Sequence, residues 1–196
     1  MKFILTDTSW ILDDLDPIEW TFLDRIPEMA AGEDLPHEQR RRILPDPIDV
    51  PAGQRENYEE FLKDWNEYVR PDLNASFGAA RDQVSRDLAM AAVKADPSDD
   101  PDELDFDHDS EPIPMRVEVA RTASDAWYSA LNQARLLMNE AHDLAESTER
   151  FRWPSEDDDQ PFDGARMLLL AQYEFYTAMQ SILIEVMTLN DAPEEF

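Results

Sequence analysis

Cysteine is absent from the 196 residues, which excludes disulfides and thiolate metal sites and leaves nothing that argues for an oxidising compartment. Glycine is nearly absent too: only four occur, and none builds a Gly-rich phosphate loop or a nucleophile elbow. Lysine is limited to Lys2, Lys63 and Lys94. With 17 Lys and Arg against 45 Asp and Glu, the net charge is −28, so free nucleic acid and anionic membrane surfaces are repelled. The single basic run, Arg40-Arg41-Arg42, is expected to make ion pairs in so acidic a chain. Histidine is sparse as well. His37, His108 and His142 are isolated, and no Glu-x-x-His pair marks a di-iron bundle, so neither metal nor cofactor is expected. The start, MKFILTDTSWILDD, has too short an apolar run for a signal peptide, which points to a cytoplasmic protein.

What the chain does have is one long apolar stretch in a sequence that is 32% charged. From Met167 to Asn190 the only charges are Glu174 and Glu185. Apolar residues fall at Ala165, Leu168, Leu169, Phe175, Tyr176, Met179, Ile182, Leu183 and Val186, the three-and-four spacing of a helix face. Met167, Leu170, Ala178 and Ile184 widen that face, so the helix is expected to be central and covered. Gln172, Glu174, Thr177, Gln180, Ser181 and Glu185 interrupt every window of about 20 residues, which excludes a membrane span.

The rest of the chain supplies partners for this helix. Lys2 to Leu5 and Ser9 to Leu12 form a hairpin pattern around Thr6-Asp7-Thr8. Asp16-Pro17-Ile18-Glu19 is a capping box with Pro at the first helical position. It opens a helix expected to bury Ile18, Phe22, Leu23 and Ile26, with a kink at Pro27 or a break before Met29. A short helix around His37 to Ile43 precedes an extended, proline-rich connection. Periodicity resumes at Tyr58, Leu62, Trp65 and Val69 and continues in phase through Leu73, Phe77, Val84 and Leu88. Pro71 favours two helices, 57–69 and 71–95, over one kinked helix. Met115 to Val119 alternates and is placed to join the hairpin. Thr122 or Ser124 then caps a helix running to about Glu146.

Residues 96–112 hold nine acids and three prolines and are expected to form a mobile loop. The second acidic stretch, 154–163, is expected to do the same. Asp105, Asp107 and Asp109 alternate as in a calcium loop, but position six is Ser110 instead of Gly and position twelve is Arg116 instead of Glu. The whole chain, 1–196, is then a single mostly α domain. It is a bundle of four to five helices around a central C-terminal helix, with a small two- or three-stranded β element.

One constellation invites a functional reading. Tyr128, Asn132, Arg135, Asn139 and His142 recur at helical spacing and share a narrow stripe opposite an apolar arc that includes Trp127 and Leu131. The stripe is either a cleft lining, with His142 as acid or base and Arg135 as an anion clamp, or a solvated helix face. Of the five tryptophans, Trp20, Trp65 and Trp127 fall on helical faces and are expected in the core. Trp10 and Trp153 fall in the hairpin and a loop, where exposure would mark a partner surface.

Leu44-Pro45-Asp46, Phe61 through Leu88, the run from Trp127 through Asn132 and Arg135 to Leu136, and Tyr173 with Gln180 together resemble a family of uncharacterised bacterial proteins. That domain of unknown function is known mainly from actinobacteria. The likeness runs from about Leu23 onward; the N-terminal strands and the 96–112 loop depart from it. Family genes often lie beside that of the adaptor feeding substrates to the Clp protease, which implies a link to regulated proteolysis. No catalytic residue carries over.

Two classes of function follow. The first is a non-enzymatic interaction protein, an adaptor or regulator with a protein partner, for which a homo-oligomer is also compatible. The second is a small enzyme or ligand-binding protein that uses the stripe. Acidic mimicry of nucleic acid is a third source for the charge, beside a salt-rich or acid-biased cytosol and solvated acidic loops.

Overall fold

The computed structural model describes residues 1–44, 47–48, 55–91, 116–145 and 164–191. The expected acidic loops 96–112 and 154–163, the alternating aspartates at 105–109 and Trp153 all lie outside the described residues.

Strands β1 (Lys2–Leu5) and β2 (Ser9–Asp13) form the expected hairpin, and β3 (Val117–Ala120) joins it. All pairs are antiparallel, in the order β1-β2-β3, with Leu5 opposite Trp10 and Trp10 opposite Val119. Trp10, Leu12, Val117 and Val119 are fully buried and belong to the core cluster, whereas Glu118 and Ala120 face out. The period-2 alternation of β3 therefore has its usual meaning of one face in and one face out.

Helix α1 (Pro17–Asp24) starts at the capping box: the Asp16 carboxylate accepts from the Ile18 and Glu19 N–H groups, and Glu19 returns a bond to the Asp16 N–H. Phe22 and Leu23 are buried. Ile18, expected inside, is 59% exposed in the first turn of α1, one turn ahead of the buried Phe22. The chain breaks at Arg25, and α2 (Ile26–Ala31) takes Pro27 in its first turn, where the missing N–H has no helical partner to lose. Gly32 ends α2 in the left-handed region at φ 57°.

α3 (His37–Arg40) is shorter than expected. The two expected helices around Pro71 join without a gap. α4 (Glu59–Asp64) passes through a π turn (Trp65–Val69) directly into α5 (Arg70–Ala89). The Arg70 N–H reaches back five residues to the Trp65 carbonyl. This wider turn ends at Val69, just before Arg70 and Pro71, and Pro71 donates no backbone hydrogen bond of its own. α5 stops at Ala89, short of the expected residue 95.

α6 (Ser124–His142) packs against α2, α5 and α7 and has more neighbours than any other helix. Neither Thr122 nor Ser124 caps it: the helix grows from a 3₁₀ turn (Arg121–Ala123) with no side-chain cap. The Ser124 hydroxyl instead accepts from the Trp10 indole N–H at 3.1 Å. α7 (Gly164–Asp191) runs the full expected length. Among the described residues its apolar girth is covered on one face. Leu170, Tyr173, Tyr176, Met179, Leu183 and Val186 are buried, while Leu168 and Ile184 are half-exposed. Glu174 and Glu185 both lie on the solvent side, so neither is a buried acid.

Candidate functional site

The members of the α6 stripe make largely separate local contacts, with Gln180 shared by Tyr128 and Arg135. Trp127, the first of the candidates, is wholly buried. Its indole N–H donates to Asp87 Oδ2 at 2.8 Å, and its ring meets Trp10 edge-on at a centroid distance of 5.1 Å. Tyr128 is half-buried against the core, and its backbone carbonyl accepts from the Gln180 amide at 3.3 Å. Asn132 is half-buried. Asn139 closes the end of the helix: its side-chain oxygen accepts from the Ala145 N–H and its carbonyl from the Asp143 N–H, at 2.7 and 2.8 Å. Asp143 adopts φ 50°, a left-handed stop that an aspartate tolerates better than most residues. His142 is exposed at the last turn, where its carbonyl accepts from Arg166. It edges a small cavity of about 70 Å³ that reaches none of the other stripe residues.

Arg135 is the one stripe member in a concentrated polar contact. Its Nη1 donates to Gln180 Oε1, its Nη2 lies 3.4 Å from the Tyr173 hydroxyl, and its guanidinium carbon sits 5.0 Å from the centre of the Tyr173 ring. Its Nε is buried without a hydrogen-bond partner among the described residues. With Gln180 4% exposed and Tyr173 buried, this contact fastens α6 to α7 and is no open anion clamp. Tyr173 and Gln180, two positions in the resemblance, thus meet Arg135, a third. The buried glutamines are what sequence reasoning missed. Gln133 accepts from Arg81 Nη1 at 2.7 Å and donates to Ser129, and Gln172 donates to the Tyr176 hydroxyl at 2.7 Å. Each was visible only as a polar residue on an otherwise apolar arc, a weak signal until its partner on another helix is known. Among the described residues no group of His, Asp and Glu has the arrangement of a metal site.

Trp10, expected on a partner surface, is fully buried. Stacking on Phe3, the edge-on contact with Trp127 and the bond to Ser124 hold it there. The exposed aromatics lie elsewhere, on the helical arm 55–69. Phe61 is 49% and Tyr68 64% exposed, with Tyr58 and Val69 also exposed and Leu62 and Trp65 half-buried. Phe61 and Leu62 lie on α4, Trp65, Tyr68 and Val69 on the π turn after it, and the wider π turn spreads the face they share. The described elements packed on α4 and the π turn are chiefly their own helical neighbours. Trp65, expected in the core, is therefore part of this arm.

The fold and the surface define a mostly helical bundle with a small antiparallel sheet and one helical arm that presents aromatics outward. The chain belongs to the DUF2017 family, a domain of unknown function whose model matches residues 6–187. That span takes in β2 and the 96–112 stretch, both of which the resemblance had placed outside the family pattern. No curated protein matches the chain, and no solved structure does. No helix among the described residues is long and apolar enough to cross a membrane.

Proposed function

We propose that the chain is a non-enzymatic interaction protein, an adaptor or regulator that docks a protein partner through the aromatic face of arm 55–69. One observation carries the reading. The apolar periodicity that elsewhere in the chain marks a buried face here leaves Phe61 and Tyr68 open, on a segment packed chiefly by its own helix. Large exposed aromatics grouped on one helix face favour a protein partner, since Tyr, Trp and Phe dominate interface anchors. Against the competing enzyme reading we weigh that Trp127, Arg135 and Asn139 are tied into packing, an interhelix contact and a helix stop. A bacterial, mainly actinobacterial, cytoplasm and a link to Clp-type proteolysis belong to the same proposal and rest on what the family resemblance implies. A net charge of −28 keeps nucleic acid and anionic membranes out of the partner set.

The test is affinity purification of the tagged full chain from its own cytosol, beside the double variant Phe61→Ser/Tyr68→Ser. The expected result is one stoichiometric protein partner, recovered with the wild type and lost with the variant. Equal recovery with both, or no partner with either, overturns the assignment.

A further inference from the structure

The arm that presents its aromatics is also acidic. α4 and the π turn carry Glu59, Glu60, Asp64 and Glu67 against the single base Lys63, and all of these are exposed. Two of the carboxylates border Tyr68, which is 64% exposed. The Tyr68 phenol holds its proton more tightly than usual, first because Glu67 accepts its hydrogen bond, then through desolvation and the Asp64 charge. Open apolar area and negative charge therefore share one surface. A carboxylate beside an open phenol ring attracts a cation twice, by its charge and by the ring quadrupole.

Backbone chemistry narrows the form of the partner. The arm is helical, so its N–H and C=O groups are bonded within it and it offers no strand edge to an extended segment. A partner helix brings its own backbone already satisfied and needs only complementary side chains. At about 1.5 Å per residue, the six residues of α4 and five of the π turn span roughly 16 Å, about three turns of such a helix. Charge then argues against two other occupants. A second copy would set acid on acid, with a net charge of −28 on each chain. The acidic stretches 96–112 and 154–163 of the chain itself hold no Lys or Arg and meet the same repulsion.

We propose that the occupant of the arm is a cationic amphipathic helix of another protein, which rests on the reading of the arm as a docking face. Its apolar side chains set against Phe61 and Tyr68, and its Lys or Arg side chains reach Asp64 and Glu67. The charge of the whole chain draws such a helix in at long range, and the aromatics hold it on the arm once it arrives.

Isothermal titration of the full chain at about 0.15 M salt tests it, with two capped helical peptides of about 15 residues. Both carry a leucine face; one has Lys and the other Glu on the opposite face. The Lys peptide should bind 1:1, and the Glu peptide about tenfold or more weakly. Binding of the Lys peptide should weaken about tenfold or more in Phe61→Ser/Tyr68→Ser and in Asp64→Asn/Glu67→Gln. It should stay within about twofold in Glu33→Gln/Asp34→Asn, which removes the same charge from exposed residues off the arm. All the substituted positions are exposed, so each variant should keep the wild-type circular dichroism. Loss in Phe61→Ser/Tyr68→Ser with unchanged binding in Asp64→Asn/Glu67→Gln overturns the cationic partner and leaves the docking face standing. Unchanged binding in Phe61→Ser/Tyr68→Ser puts the peptide off the arm and overturns the proposal; whether the arm docks a protein at all is read separately, from the purification with that same variant. No saturable binding of the Lys peptide, equal binding of the Glu peptide, or an equal loss in Glu33→Gln/Asp34→Asn also overturns it. So does a dimer in sedimentation that Phe61→Ser/Tyr68→Ser dissolves, since the occupant is then a second copy.

Discussion

The Tyr176 hydroxyl of α7 donates to the Phe22 carbonyl of α1 at 2.7 Å, across 154 positions of sequence. Tyr176 is fully buried, and its oxygen also accepts from the Gln172 amide. One phenol therefore satisfies the last-turn carbonyl of α1 and a buried glutamine together. Replacing it with Phe keeps the ring and strands both polar groups. Leaving a buried group unpaired costs about 1–3 kcal/mol, so Tyr176→Phe should lose stability in that range by urea denaturation. A loss below about 0.5 kcal/mol would mean that water reaches the site.

Burial also pushes the Tyr176 phenol pKa well above its ordinary value of 10.0, and the Gln172 bond only partly opposes the rise. The folded chain then holds this proton more tightly than the unfolded chain. Stability is fully present below the unfolded pKa and falls as pH climbs through and above about 10. Urea midpoints should drop between about pH 9 and about pH 11, and should drop less steeply in Tyr176→Phe. Parallel slopes in the two proteins would show that other groups set the alkaline limit.

Gly32 closes α2 at φ 57° against α6, and a Cβ at that position would overlap the Leu137 Cδ1 methyl. Both the left-handed backbone and the close approach require glycine. Gly32→Ala should cost about 1–3 kcal/mol, from strain and overpacking together. In the Leu137→Ala background the added cost should shrink toward the backbone contribution alone, about 1 kcal/mol. An undiminished cost in that background would remove Leu137 from the account.

Much of this architecture was legible because local chemistry and tertiary placement agree. The capping box at Asp16, the alternation of β3 and the three-and-four spacing of α7 each carry a cause that does not depend on a partner. Misplaced residues are those whose fate is decided by a distant element. Trp10 looked free because nothing in its strand announces that Phe3, Ser124 and Trp127 enclose it. Trp65 looked buried because its apolar spacing is that of a core face, yet its neighbours are chiefly its own helix. The stripe on α6 was found as a pattern, but periodicity cannot tell a polar seam from a cleft. Arg135 needed Tyr173 and Gln180, 38 and 45 residues on, before its role as a fastener showed.

An excess of 28 negative charges on a small domain is self-repulsion that added salt screens. The Debye length falls from about 10 Å at 0.1 M to about 3 Å at 1 M, so most of the long-range repulsion vanishes over that interval. The described ion pairs lie on the surface, the Lys2 and Asp14 pair among them, and weaken little in total when screened. Repulsion therefore dominates. Tm should rise from low salt to molar sodium chloride, a salt chosen because sulfate would also strengthen apolar burial. A flat or falling Tm would place the acids in compensating pairs.

The last contrast separates the arm from the core by stability alone. Leu183 is fully buried on the covered face of α7 within the hydrophobic cluster, so a carboxylate there would be cut off from water. Burying Leu is worth about 1.5–3 kcal/mol, and an unpaired charge in its place costs more than that. Leu183→Asp should prevent cooperative folding. Phe61→Ser and Tyr68→Ser change equally large apolar residues on a helix, and serine ranks beside both in helix propensity. Because both side chains are open to solvent, each variant should melt within about 0.5 kcal/mol of the parent in denaturant titrations. A loss of about 2 kcal/mol or more at either position would mean that the arm is packed in solution. Its aromatics would then belong to the core and not to an interface.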